Sequence, residues 1–229
     1  MDEQAMAAVY ATLDRMHAWR GWHWWPDGDP FEVCVGAILV QNTSWMNVER
    51  ALTRLREAGA LDFRAMARLV LAELEELVRP SGQYRQKAKK LRAFIDTAER
   101  EGGFERLLAL EMGVLRQRLL DTWGIGPETA DCIVCYASGQ PALVVDTYTA
   151  RLFTRLGHGP GGAGYEAWQR WMLDRLPTDR ETYARLHALI VLHCKHLCRK
   201  RAPRCTECGF RETCAFRRAN GLKGGSIDG

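Results

Sequence analysis

Leu119-Leu120-Asp121-Thr122-Trp123-Gly124-Ile125-Gly126-Pro127-Glu128-Thr129-Ala130-Asp131 is the stretch on which the fold is decided. A helix ends near Thr122, two glycines bracket one apolar residue, and a second helix starts with Pro127 in its first turn. Proline loses nothing there, because the first N–H groups of a helix have no partner inside it. Glycine admits positive φ and close backbone approach, so successive N–H groups can face an anion. Ile125 tucks between the two helices. A lone Gly-x-Gly is more often a plain helix end, but amphipathic flanks on both sides make this one a hairpin of two helices.

Outward from the hairpin, the chain of 229 residues keeps a helical rhythm. Leu55, Leu61, Phe63, Met66, Leu69, Val70, Leu74 and Leu77 recur at helical intervals, as do Leu107, Leu108, Leu110, Val114, Leu115, Leu119 and Leu120. Asp62, Pro80-Ser81-Gly82, Gly102-Gly103, Gly139 to Pro141 and Gly157 to Gly164 punctuate them. Ala142-Leu143-Val144-Val145 could pass for a strand, but nothing nearby offers it a partner. The expected architecture is all-α, with a poorly ordered tail from Arg217. No stretch is apolar for long enough to cross a bilayer, and residues 1–13 do not read as a signal peptide. A soluble, cytoplasmic protein is therefore expected.

Cys198, Cys205, Cys208 and Cys214 leave gaps of six, two and five residues. Four thiols in so short a loop can surround one metal centre, either tetrahedral zinc or an iron–sulfur cluster. The spacing lacks the paired CxxC knuckles of a zinc ribbon, which favours the cluster. The net charge is +4, yet residues 194–229 hold nine Lys/Arg against three acids, leaving −2 for the remainder. Arg199, Lys200, Arg201 and Arg204 fall inside the first cysteine gap. A basic loop pinned in this way presents a fixed array to phosphates.

Val145-Asp146-Thr147-Tyr148-Thr149 begins nineteen residues after Gly126. Asp146 reads first as the N-cap of the helix that follows, and a capping aspartate is also fixed in orientation and poised to face a ligand. The hairpin, this Val-Asp-Thr and the cysteine loop together resemble the helix-hairpin-helix DNA glycosylase superfamily, in its endonuclease III-like branch. The resemblance covers about residues 30 to 214. It implies a six-helix barrel domain with the hairpin over residues 30–140. A second domain, from residues 1–29 and 141–229, would carry a [4Fe–4S] cluster on the four cysteines, and the two would enclose a DNA-binding cleft. It further implies that Asp146 is the essential carboxylate, that Gly124, Ile125 and Gly126 grip the DNA backbone, and that a monomer acts on double-stranded DNA carrying damaged bases.

Two departures bear on the substrate. Bifunctional members carry a lysine just after the second hairpin glycine, where this chain has Glu128, and a carboxylate cannot form an imine with the sugar. None of the six lysines lies near the hairpin in sequence. Trp24-Trp25-Pro26, together with the run from Pro30 to Trp45, is similar to the 3-methyladenine glycosylases of endonuclease III type. Trp24, Trp25 and Trp45 would line a pocket for a cationic alkylated purine, held by cation–π contacts of up to ~2 kcal/mol. Gln41 matches the glutamine that fills the gap left by a flipped base, although a polar helix end is an equal reading. Gln83 stands where an intercalating wedge is often leucine. The rival readings are an oxidised-pyrimidine glycosylase with lyase activity from another amine, and a DNA-binding module without catalysis. If the basic loop makes about five phosphate contacts, log K for duplex DNA should fall with log[salt] at a slope of about −4 to −5. A flat salt response in a binding titration would contradict the loop's role.

Overall fold

The computed structural model describes residues 1–17, 28–162 and 164–221. Among these every regular element is helical, and no helix is long and apolar enough to cross a membrane. The chain divides into two units, His23–Ala142 and Met1–Trp22 with Leu143–Gly229. In chain order α1 is Glu3–His17, α2 Pro30–Leu39, α3 Trp45–Glu57, α4 Phe63–Arg68, α5 Leu71–Leu77, α6 Tyr84–Arg100 and α7 Phe104–Leu108. Then come α8 Met112–Leu120, α9 Pro127–Cys132, α10 Thr147–Leu156, α11 Tyr165–Leu173, α12 Arg180–His196 and α13 Ala215–Ala219.

In the first unit α2 is apolar all round and is buried on every side, from Phe31 through Leu39 except Glu32. Asp29 starts it as N-cap, its carboxylate accepting from the Phe31 and Glu32 N–H groups, with Pro30 in the first turn. The Leu55–Leu77 periodicity divides into three helices. Asp62 caps α4 by accepting from Ala65 N–H at 2.9 Å. An extended Leu69-Val70 then breaks the pattern, and Val70 is left exposed. Phe104 centres an aromatic cluster, 5.3 Å from Phe31 and 5.9 Å from Phe63 by ring centroid.

The hairpin helices α8 and α9 are joined by a buried clasp. Arg116 donates to both oxygens of Asp131, at 2.7 and 3.2 Å, and Asp131 is 1% exposed. A planar guanidinium matches a carboxylate in this forked way better than any ammonium. A π turn, Ile133–Ala137, prolongs α9 and packs on α2.

In the second unit α1, α10 and α12 share a core of Met6, Leu13, Leu152, Phe153, Tyr183 and Ile190. Leu143-Val144-Val145 is buried and irregular, with no strand partner among the described residues. Side chains from α11 replace the missing ladder: Gln169 donates to the Leu143 carbonyl at 2.8 Å, and Val145 N–H donates to the Tyr165 hydroxyl at 3.4 Å. α13 carries ordered helix to Ala219, past the point where order was expected to end. Removing one partner from a buried ion pair strands the other, so Arg116→Ala should cost roughly 3 kcal/mol in urea unfolding. A loss below about 1 kcal/mol would show that the clasp is not what joins α8 to α9.

Candidate active site

Asp146 occupies the mouth of α10 as its N-cap, with φ −131° and ψ −177°. Its Oδ1 accepts from Thr149 N–H at 2.8 Å and from the Thr149 hydroxyl at 3.0 Å. Threonine at the third helical position thus doubles the usual cap bond and locks the carboxylate rotamer. On the other side His187, projecting from α12, brings Nε2 to 3.7 Å from Oδ2, longer than an ordinary direct hydrogen bond. The Asp146 side chain is only 10% exposed. Burial alone pushes its pKa up, but His187 and the two Thr149 bonds outweigh burial and hold the carboxyl below its ordinary value. The result is a fixed, nearly dry negative charge at a helix N-terminus.

The hairpin takes the form expected of it. Gly124 has φ +85°, Gly126 caps α9, Pro127 fills its first position and Ile125 is buried. Gly124 is needed for space as well as for φ, since a Cβ there would lie 2.4 Å from Cγ of Lys90. Glu128 is an exposed acid in the first turn of α9.

Gln41 lies at the end of α2, and its amide reaches the hairpin. Nε2 donates to the Gly124 carbonyl at 3.2 Å and to the Thr129 hydroxyl at 3.0 Å, while Oε1 accepts from the Lys90 ammonium. Gln41, Lys90 and the hairpin therefore form one polar cluster. Sequence reasoning missed Lys90, which is far from the hairpin along the chain but lies against it in space. Gln83 is exposed and left-handed, with φ +47°, directly after Gly82 at φ +68°. Such a backbone costs a non-glycine residue about 1 kcal/mol or more. Below it Lys87 is buried and donates to the Ser81 carbonyl at 2.6 Å. Burial, then the charge of Lys90, lowers its pKa to about 8.

Trp45 opens α3 and is half-buried. Trp24 and Trp25 lie outside the described residues, so the proposed aromatic pocket is represented by Trp45 alone.

Cys198, Cys205, Cys208 and Cys214 line one pocket, together with Leu152, Leu156 and Phe210. All four are free thiols. Among the described residues no three His, Cys, Asp or Glu side chains converge as ligands of a single ion. In a [4Fe–4S] cluster each thiolate binds its own iron, so its ligands need to surround a pocket rather than a point. The thiol chemistry and the shared pocket fit that group. Arg155 of α10 is the clamp on this loop, and sequence reasoning did not find it. Its guanidinium donates to the Arg199 carbonyl at 2.8 Å, the Lys200 carbonyl at 3.2 Å and the Cys198 thiol at 3.3 Å. The side chains of Arg199, Lys200, Arg201 and Arg204 are left exposed, Arg204 paired with Glu207 at 2.7 Å. His193 is buried behind Cys208, and burial followed by His17 lowers its pKa to about 3.

The family model for HhH-GPD superfamily base excision DNA repair proteins matches residues 35–177. A protein of Methanocaldococcus jannaschii described as a candidate DNA repair glycosylase is 43% identical over 197 residues, 84% of this chain and 88% of its own. The H. pylori 3-methyladenine DNA glycosylase bound to 1,N6-ethenoadenine is 30% identical, with a TM-score of 0.68 over 85% of this chain and 98% of that one. An endonuclease III solved in a non-covalent DNA complex shares the fold, with a TM-score of 0.83 at 22% identity over 97% of this chain and all of that one. The chain belongs to the HhH-GPD superfamily of base excision DNA repair proteins and is a DNA glycosylase.

Proposed function

We propose that this glycosylase is monofunctional and releases alkylated purines, 3-methyladenine foremost, from double-stranded DNA. The observation that carries the reading is the Asp146 carboxylate, nearly buried yet held ionised by His187 and Thr149. The target nucleotide is extruded from the duplex at a cost of roughly a few kcal/mol, least for a damaged base. As the bond from C1′ to the base nitrogen breaks, positive charge develops on the sugar. A preorganised carboxylate stabilises that charge and orients the water whose oxygen then bonds to C1′ as one of its protons passes to the carboxylate and on to solvent. An N3- or N7-alkylated purine is already cationic, so it leaves as a neutral base with little help from an acid.

Glu128 supports hydrolysis over imine chemistry, since it offers no amine in the first turn of α9. The 30% identity to a 3-methyladenine glycosylase supports the substrate class, and Trp45, with Trp24 and Trp25, would stack on the cationic base. The hairpin of Gly124, Ile125 and Gly126 would hold backbone phosphate, and Gln41 and Gln83 would enter the space the base vacates. Arg199, Lys200, Arg201 and Arg204 would add phosphate contacts. Cys198, Cys205, Cys208 and Cys214 would hold a [4Fe–4S] cluster, which when bound cross-links the basic loop and is capable of one-electron chemistry. The protein is expected to act as a monomer in the cytoplasm.

The rival reading, a pyrimidine glycosylase with lyase activity, is favoured by one observation: Lys90 is an amine that lies against the hairpin. In a pure DNA-binding module Asp146 would serve only as the N-cap of α10.

Duplexes carrying 7-methylguanine, a stable 3-methyladenine mimic, thymine glycol or uracil separate these readings when each reaction is split before alkali. Strand breaks only after alkali, and on the alkylated purines, are expected. Breaks without alkali on thymine glycol would overturn the reading in favour of the lyase. Asp146→Asn should lower excision by at least about a hundredfold while lesion binding persists. Full activity in that variant would remove Asp146 from the mechanism. Purified protein should be brown, with about four irons per chain; stoichiometric zinc in its place would contradict the cluster.

A further inference from the structure

We propose that His187 is a positioning residue for excision: from α12 its imidazole faces the Oδ2 oxygen of Asp146 and gives this buried carboxylate a polar partner. The inference rests on Asp146 being the catalytic carboxylate, as proposed above.

The two oxygens of Asp146 have different surroundings. Oδ1 is committed to the first turn of α10, accepting both hydrogen bonds from Thr149. Oδ2 has the imidazole, with Nε2 at 3.7 Å. Both side chains are nearly buried, His187 at 8% and Asp146 at 10% exposure. α10 and α12 pack directly on one another, so the pair is set by the core rather than by loops. With Oδ1 saturated, Oδ2 is the oxygen still able to meet a developing positive charge or a water. A single imidazole N–H can occupy at most one lone pair of Oδ2, which leaves another for a water or a developing positive charge.

The titratable groups around the pair are few. Tyr148 stands on α10, its phenol pushed up by burial and then by Asp146, with Arg151 stacked 4.9 Å from its ring centroid. α11 contributes Tyr165, whose hydroxyl accepts from Val145 N–H, and α1, which also packs on α12, contributes Tyr10, Asp14 and His17, the last two engaged elsewhere. Asp14 pairs with Arg185 at 2.5 Å, and His17 meets His193 at 2.9 Å. α13, which packs on α10, contributes Arg217 and Arg218, of which Arg217 donates to the Arg211 carbonyl at 2.7 Å. His187 is the side chain that the packing of α12 on α10 brings against Oδ2.

Removing the imidazole leaves burial as the leading influence on Asp146, which favours the protonated acid. Only the ionised form stabilises the sugar cation, so the acid limb of the rate profile should move toward higher pH. The test measures single-turnover excision of 7-methylguanine at saturating enzyme across pH, for wild type, His187→Leu and His187→Gln. Saturation removes DNA affinity from the readout. In His187→Leu the acid limb should rise by about one pH unit, a tenfold loss on that limb. His187→Gln, which keeps a donor but not the imidazole, should fall between the two. Acid limbs that coincide with wild type in both variants would overturn the proposal, even if rates fell uniformly, since packing alone lowers rate without moving the limb. Asp146→Asn is run alongside: excision surviving in it would refute the catalytic reading itself, whereas its loss together with unmoved limbs would refute only the role of His187.

Discussion

Taking a carboxylate out of water costs several kcal/mol unless the protein replaces the lost solvation, and at Asp146 the replacement has three sources on two helices. Its own helix supplies a backbone N–H and a hydroxyl, both from Thr149. The mouth of α10 supplies a partial positive charge from its unsatisfied N–H groups. α12 supplies His187. The first two are local to α10, but the third depends on how α10 packs on α12, so the shared core of Leu152, Phe153, Tyr183 and Ile190 serves the charge as well as stability. Asp146 in turn contributes to stability, because its folded pKa is depressed. That contribution is present above the unfolded carboxyl pKa and is lost as pH falls through the folded one.

The hairpin shows a second use of buried polarity. Its geometry is set by the Arg116–Asp131 clasp between α8 and α9, and its tip is tied to α2 and α6 through Gln41 and Lys90. Within the turn the Ile125 N–H donates to the Thr122 carbonyl at 3.1 Å. Side chains add support from behind, Gln41 donating to the Gly124 carbonyl and the Thr129 hydroxyl.

What was legible in the sequence is what the local chain dictates. Gly-Ile-Gly-Pro forces a tight turn into a helix start wherever it occurs, and Asp146-Thr147-Tyr148-Thr149 caps a helix regardless of its neighbours. The cysteine gaps marked one loop for the same reason. Partners that meet only after folding were not legible. Lys90 reaches Gln41 across 49 positions, His187 reaches Asp146 across 41, and Arg155 reaches the basic loop across 44. No periodicity or spacing encodes such pairs. The Leu69-Val70 break was missed because its apolar residues kept the helical rhythm while the backbone turned extended to start α5.

The central claim is that Asp146 stays ionised despite its burial, and the most direct measurement is carboxyl ¹³C NMR on aspartate-labelled protein, with Asp146→Asn used to assign the resonance. Titrated toward acid, the Asp146 signal should keep its carboxylate shift until the pH lies below the ordinary aspartate range, after exposed aspartates have protonated. A signal that protonates with them, or before them, would mean that burial outweighs His187 and Thr149, and would contradict the account.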